Sequence, residues 1–355
     1  MNIKSFVVII FLLSAALIAQ IGSIFAEKCL LFKAPFSSIT SPKKTLVDPL
    51  VIKEYVEHNF AITESVTTEV LNIGVNDIYL VEVGSQKYVL RLSRADKNLT
   101  LTDSSFLFEL AWLEFLNDHE VPVSFPIRRT DKQLFGIINA SEGSRYATLF
   151  SFAEGTTDLN EEQAFILGKS LAQLHVVSDD FKIEIERGKL DIDELITQSV
   201  NQIQHFLNFA SPADLLILDE FAEKLREEIS KVDRLNGSYG IIAGDIHGYN
   251  QHFTKNNQLT MFDFEFCSYG YRAYDIATFR WSRGSNNTEL WNTFLDGYQS
   301  IRKLHDSELE AIEAFVQARN LWWISSFSKM PEYLQMFDDD FWKSVFTEFK
   351  IYLLS

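Results

Sequence analysis

An aspartate, an asparagine and a second aspartate stand at positions 245, 250 and 263, inside the stretches "IIAGDIHGYN" and "MFDFEF". The apolar run before Asp245 reads as a short strand. Between Asn250 and Asp263, "QHFT" and "LTMF" flank the turn signal "KNNQ", which is the pattern of a β-hairpin. Such a hairpin returns Asp263 to the side of Asn250. The chain must therefore bring a strand, a loop bearing an acid and an amide, and a hairpin ending in a second acid to one spot.

The sequence on either side builds two different layers. "DPLVIKEYVEHNF" predicts a short helix with Asp48 as its N-cap. From Ser65, "SVTTEVLNI", "IYLVEVG" and "KYVLRLS" read as strands joined at Gly74-Val75-Asn76-Asp77 and Gly84-Ser85-Gln86. "SSFLFELAWLEFLNDH" has helical spacing, with Phe108, Trp112 and Phe115 on one face. "VSFPIRRT", "LFGIINA" and "YATLFSFAEG" are expected to complete the sheet. Beyond Gly155 the periodicity is mainly helical: "NEEQAFILGKSLAQLHVVS" with Asn160 as cap, "PADLLILDEFAEKLREEISKV", and a series of helices from "YDIATFRWSRG" to "DDFWKSVFTEFKIYLL". The expected fold class is α+β and bilobal: a small antiparallel-sheet N-lobe with one inserted helix, and a larger, mainly helical C-lobe. The expected division is a hydrophobic segment at 1–26, a linker at 27–49, the N-lobe at 50–152 and the C-lobe at 153–355. A cleft between two such lobes is a common ligand site.

Asp245, Asn250 and Asp263 suit phosphoryl transfer. That reaction needs a carboxylate to orient the attacking hydroxyl and metal ions to bridge the phosphate oxygens. Mg²⁺ takes carboxylate, amide oxygen and water. "GDIHGYN" followed by "FDFEF" resembles the catalytic loop and metal motif of the aminoglycoside phosphotransferase, choline kinase and homoserine kinase-like superfamily, and is nearest in character to its stress-response and homoserine-kinase-like branch. "YGYRAYDIATF", "LGKSLAQLH", "YVLRL" and Gly74-Val75-Asn76 extend the resemblance over about residues 50 to 350. It implies a protein-kinase-like fold and transfer of the γ-phosphate of ATP, with Mg²⁺, to a hydroxyl of a small molecule. Carried over residue by residue, Asp245 is the catalytic base, Asn250 and Asp263 are metal ligands, and Arg91 contacts the phosphates with Glu109 as its partner. Gly74 and Asn76 belong to the nucleotide-covering loop. Phe150 to Ala153, with Phe152 among them, form the connector whose backbone meets adenine.

The resemblance is incomplete at Ala243, where the family's loop carries a histidine that braces it. A non-catalytic nucleotide-binding scaffold, or a Ser/Thr protein kinase of the same fold, is the alternative. Read without the resemblance, Asp245 and Asn250 could be turn residues, and Arg91 with Glu109 an ordinary ion pair. His247 and His175 read as structural hydrogen-bonders, Glu265 as either a residue behind the metal ligands or an exposed acid, and Asp275 as an N-cap holding the loop. Trp322, Trp323 and Trp342 could cage a quaternary ammonium or fill the core. Asp338 to Asp340 could bind amines or form a solvated helix start. Arg280 and Arg283 could receive a carboxylate.

Thirty-two basic against 49 acidic residues give a formal charge of -17. That argues against nucleic acid as a partner, since phosphate binding needs basic patches. Two cysteines, Cys29 and Cys267, are too few for a disulfide framework. Residues 5–26 carry no charge and are long enough to span a bilayer. Three readings stay open for them: a transmembrane anchor giving membrane association, a signal sequence, or an upstream extension. The following domain is expected in the cytoplasm, where the nucleotide is.

Overall fold

The protein is described by a computed structural model covering residues 45–93, 103–185, 187–207, 211–234 and 237–355. The first helix, α1 (Pro49–Asn59), starts where Asp48 accepts a hydrogen bond from the Leu50 N–H. Pro49 follows at a position that needs no donor. Its buried face, Ile52 and Val56, packs with Tyr79, Val81, Leu90 and Leu149 into a core on one side of the N-lobe sheet.

That sheet has five antiparallel strands: β1 (Val66–Ile73), β2 (Asp77–Val83), β3 (Gln86–Leu92), β4 (Gly136–Ala140) and β5 (Gly143–Ser151), in spatial order β1-β2-β3-β5-β4. The chain leaves after β3 to form the inserted helix α2 (Asp103–Asp118). A fully buried arginine holds the junction. Arg145 on β5 pairs with Asp77 at 2.8 Å and donates to the carbonyls of Leu92 and Ser93, also at 2.8 Å. A buried guanidinium persists only when its donors are met in this way.

α2 follows the sheet in sequence but packs with the other lobe. Phe108, Leu110, Trp112 and Leu113 join the large C-lobe core. The Trp112 indole donates to Ser178 Oγ at 2.9 Å and meets the Phe264 ring edge-on at 5.7 Å.

The stretch 123–130, expected as a strand, is not one. It runs extended with isolated bridges at Val123–Met261 and Pro126–Phe150. Its pairing with β5 consists of the bonds that flank Pro126, from the Ile127 N–H to the Leu149 carbonyl and from the Ser151 N–H to the Phe125 carbonyl, with Pro126 at the position whose missing N–H faces away from β5.

The C-lobe contains α3 (Glu161–Ser178), α4 (Ser199–Phe206), α5 (Pro212–Ser230), α6 (Arg272–Phe279), α7 (Thr288–Gln299), α8 (Asp306–Glu310), α9 (Ile312–Ser328) and α10 (Asp339–Leu353). Asn160 and Gln163 form a capping box at the start of α3. Between the helices lie a three-stranded sheet, β6 (Lys189–Leu190), β10 (Ser268–Tyr271) and β7 (Tyr239–Ile242), and a two-stranded hairpin, β8 (Gln251–Phe253) with β9 (Leu259–Met261). β7 delivers the chain into the loop at Asp245, and the hairpin delivers it to Asp263.

The expectation of a membrane-spanning helix is corrected: among the described residues no helix is long and apolar enough to cross a membrane. Residues 5–26, on which it rested, and Cys29 lie outside the described residues.

Candidate active site

The loop after β7 is held from beneath. Asp275, in the first turn of α6, accepts from the Ala243 N–H at 2.7 Å and the Gly244 N–H at 2.8 Å. It is not the N-cap of that helix, which is Tyr271. Behind Asp275 stands a relay of buried side chains. His175 Nε2 lies 3.0 Å from Asp275 and its Nδ1 lies 2.8 Å from the Tyr298 hydroxyl. Arg302 in turn donates to Tyr298 and to Glu308. Burial pushes the His175 pKa down to about 4, against the pull of Asp275 in the other direction. The ring is therefore neutral: Nε2–H donates to Asp275 and Nδ1 accepts from Tyr298. With Ala243 in place of a histidine, the loop backbone itself is the anchored group, and α6 supplies the acceptor.

The front of the loop is tied as well. Arg283 donates to the Gly248 carbonyl at 2.9 Å and the Thr157 carbonyl at 3.0 Å, with its guanidinium 3.6 Å from the Tyr249 ring centre. Arg280 donates to the Gly284 carbonyl and stacks on Trp291. Both arginines are thus engaged in structure rather than held out for a carboxylate. His247 accepts from the Tyr249 N–H within the loop, and burial lowers its pKa.

The three residues singled out by spacing come together. The Asn250 amide nitrogen donates to the Asp245 carbonyl at 2.9 Å, and the Asn250 carbonyl receives the Phe262 N–H at 3.0 Å. The first contact ties Asn250 to the loop, the second to the residue before Asp263. The amide's nitrogen is used on the loop, which leaves its oxygen as the end for a cation. Asp263 has φ of +66°, a conformation that costs an ordinary residue energy and clusters at functional sites. Burial and the charge of Glu265 push its pKa up to about 8, against Arg91. Glu265 is raised too, chiefly by burial. It accepts a 2.7 Å hydrogen bond from Asn76, so the β1–β2 loop of the N-lobe touches the hairpin end directly.

Arg91 on β3 makes two 2.8 Å bonds to Glu109 on α2, with both side chains almost wholly buried. Its guanidinium lies 5.0 Å from the Phe150 ring and 5.4 Å from that of Phe106. Arg187, which no local pattern singles out, donates to the carbonyls of Glu265 and Cys267 and, at 2.8 Å, of Ser105. It ties the segment after Asp263 to the start of α2. Phe152 leaves β5 with Lys87 over its ring at 5.5 Å. Gly74 donates to the Asn76 carbonyl at 3.1 Å within its turn.

One contact at Asp245 was missed. Its Oδ1 accepts a short, charge-assisted bond from Arg319 of α9. Gln317, Arg319 and Asn320 sit in a run that is otherwise apolar, and buried polar residues imply partners; that was the signal.

The tryptophans fill the core. Trp322, Trp323 and Trp342 are buried: Trp323 stacks on Phe327, Trp322 meets Phe266 edge-on, and Trp342 packs against Phe337 and, edge-on, against Phe341. Asp338 caps α10, and Asp339 and Asp340 are exposed. Cys267 is buried, and burial pushes its thiol up to about 12, which makes it inert.

The chain is 35% identical over 254 residues to an uncharacterized protein of Synechocystis sp., covering 70% of this chain and 69% of that one. It is 27% identical over 256 residues to a homoserine kinase of Agrobacterium fabrum, covering 67% and 71%. Among solved structures it superposes on an amicoumacin kinase in complex with AMP-PNP, Ca²⁺ and its antibiotic, with a TM-score of 0.68 at 16% identity, over 86% of this chain and 93% of that one. The fold is thus the α+β, protein-kinase-like one expected from the sequence. Residues 68–312 match the model of the phosphotransferase enzyme family. The match runs from β1 to the start of α9 and takes in the loop, the hairpin and the Arg91–Glu109 pair, and on it this chain belongs to that family.

Proposed function

We propose that this phosphotransferase transfers the γ-phosphate of ATP, with Mg²⁺, to a hydroxyl of a small molecule. The observation that carries the reading is the position of Asn250, bonded to Asp245 on one side and to the residue before Asp263 on the other. These two backbone contacts support reading Asp245 as the base and Asn250 and Asp263 as oxygen donors to one metal ion.

The donor set suits the metal. Among the described residues no group of three or more His, Cys, Asp or Glu is arranged to hold an ion unaided. Mg²⁺ bound through one carboxylate, one amide oxygen, water and phosphate needs no such cage. Asp263 and Asn250 Oδ1 would hold it. Burial raises the Asp263 pKa most, and the neighbouring carboxylates Glu265, Asp245 and Glu109 add to it against Arg91, which suits a site that takes up a cation. Held by Asp263 and Asn250, Mg²⁺ would supply positive charge to offset that developing on the phosphate oxygens.

The chain's own residues do the rest. Asp245 accepts a hydrogen bond from the acceptor hydroxyl, aligns its oxygen for in-line attack and takes its proton. Arg91, held rigid by Glu109, presents positive charge to the phosphates. The backbone of Phe152 and Ala153, where the chain leaves β5, would meet adenine. Asn76 brings the covering loop down onto Glu265. Since ATP is the donor, the reaction belongs in the cytosol. A homoserine kinase among the relatives makes hydroxy amino acids and amino alcohols the first acceptors to try, ahead of sugars and aminoglycosides.

The test is an acceptor screen with γ-labelled ATP and Mg²⁺ on purified full-length protein. Labelled product with a hydroxyl compound, absent without metal, supports the reading. Tight Mg²⁺-dependent nucleotide binding with no product from any acceptor class would leave a nucleotide-binding scaffold in its place.

A further inference from the structure

Arg319 sits in α9 with its side chain 2% exposed, against 16% for Asp245. Its environment fixes it. The guanidinium lies 4.8 Å from the Trp281 ring centre and 5.8 Å from that of Trp322. One terminal nitrogen donates to the Tyr274 hydroxyl at 3.2 Å, and the other to Asp245 Oδ1. Trp281 is itself held, its indole donating to Asn320 at 2.8 Å, and Asn320 to Gln317 at 3.2 Å.

We propose that Arg319 is a positioning residue for phosphoryl transfer, acting through Asp245. By occupying Oδ1 it fixes the rotation of the carboxylate and leaves Oδ2 as the oxygen that meets the acceptor hydroxyl. This rests on the reading of Asp245 as the base.

A loop-stabilising role explains the contact less well. The backbone of this loop is already held from below by Asp275 and in front by Arg283. Arg319 bonds to none of that backbone; in the loop it touches only the carboxylate. Burying a guanidinium is costly unless its charge is met, and here it is met by the acid proposed as the base. A planar guanidinium clamped between indoles also holds direction better than a lysine would. A hydroxyl must lie within about 3–3.5 Å of its target and aligned with it, and a displacement of about 1 Å costs on the order of a hundredfold in rate.

The test compares wild type, Arg319→Met, Arg319→Lys, Asp245→Asn and the Arg319→Met/Asp245→Asn double variant, all as full chains. ADP release is measured with Mg²⁺-ATP and L-homoserine, 1-amino-2-propanol, a sugar and an aminoglycoside as acceptors. Binding of Mg²⁺-ADP is measured by calorimetry. The expected result for Arg319→Met is kcat down about a hundredfold, with KM for ATP and Mg²⁺-ADP affinity within twofold of wild type. Arg319→Lys recovers at least tenfold of that, and the double variant is no slower than Asp245→Asn alone, because the arginine has no other route to the rate. Turnover in Arg319→Met within threefold of wild type would overturn the inference. So would a loss of nucleotide affinity equal to the loss of turnover, or a double variant slower by the product of the two single effects. A wild type that turns over none of these acceptors fails at a different place: it overturns the kinase reading, and the role of Arg319 with it.

Discussion

Arg91 and Glu109 face each other across the joint between sheet and helix, bonded through both terminal guanidinium nitrogens and both carboxylate oxygens at 2.8 Å. Glu109 is wholly buried, and its helix belongs to the core of the other lobe. The pair therefore links the N-lobe sheet to the C-lobe through α2. Removing one partner strands the other charge out of water. Glu109→Ala is expected to lose about 3–5 kcal/mol of stability and to weaken nucleotide binding, since Arg91 is freed to swing away. Urea unfolding and nucleotide calorimetry read the two effects. A cost under about 1 kcal/mol would place the pair with surface ion pairs.

Asp245 is the proposed proton acceptor and touches Arg319 but no other side chain among the described residues. Asp245→Asn keeps the shape and a hydrogen-bonding oxygen while removing the base. Turnover is expected to fall by about 10²–10⁴, with Mg²⁺-nucleotide affinity nearly unchanged. Steady-state kinetics beside calorimetry check this. Retained turnover would take the base away from this residue.

Asp263 has a pKa raised to about 8 by burial and by Glu265. A raised carboxylate pKa means that the folded apo protein holds a proton there that the unfolded chain releases near pH 4. A divalent cation binds the deprotonated form, so it must expel that proton. Metal-dependent nucleotide affinity is expected to rise with pH, by up to about tenfold per unit below pH 8, and then to level. Calorimetry in two buffers of different ionisation enthalpy should show proton release at pH 7. Affinity that is flat from pH 6 to 8, with no proton release, would contradict it.

His175 offers the opposite sign. Burial lowers its pKa to about 4, while in the unfolded chain it titrates near 6.5. Between those values the unfolded state binds a proton that the native state refuses, so stability is full at neutral pH and falls as pH drops. From pH 7 to pH 5 the loss from this residue is roughly 2 kcal/mol. His175→Gln should start less stable at pH 7 and show a flatter decline over that window. Equal slopes in urea unfolding would remove His175 from the account.

The sequence carried the site unevenly, and for physical reasons. Asp245, Asn250 and Asp263 lie on one loop and one short hairpin, so their meeting depends only on local turn chemistry, which residue types and spacing reveal. The sheet was legible through period-two alternation, except at 123–130, where a stretch that reads as a strand makes only isolated bridges, one to Met261 of the hairpin and one to Phe150 of β5. Arg319 is 74 positions from Asp245, on a helix with fourteen of its seventeen residues buried. A helix covered on all sides has no polar stripe to mark a facing, so nothing local says where its arginine points. Asp275 was legible as a brace for the loop, but its place inside the helix, gripping two N–H groups at once, required the tertiary fold. The Asn76–Glu265 contact, between residues 189 positions apart, lay equally beyond reach.

Gly244 is the residue on which the loop turns. It has φ of +81°, and a Cβ there would lie 2.2 Å from the Phe266 carbonyl oxygen. Both obstacles act together: an L-residue resists the left-handed region, and the obstructing atom is backbone that cannot rotate away. Phe266 follows Glu265 by one position, so any shift that relieves the clash moves the segment after Asp263, while the Gly244 N–H is pinned to Asp275 on the other side. Gly244→Ala is therefore expected to cost about 1–3 kcal/mol in backbone strain alone, and to reduce turnover more than stability predicts, because Asp245 and Asp263, the proposed base and metal ligand, are pushed apart. Thermal unfolding together with kcat on folded protein checks this. An alanine variant with wild-type turnover would mean that the loop and the hairpin end do not need this close contact to work.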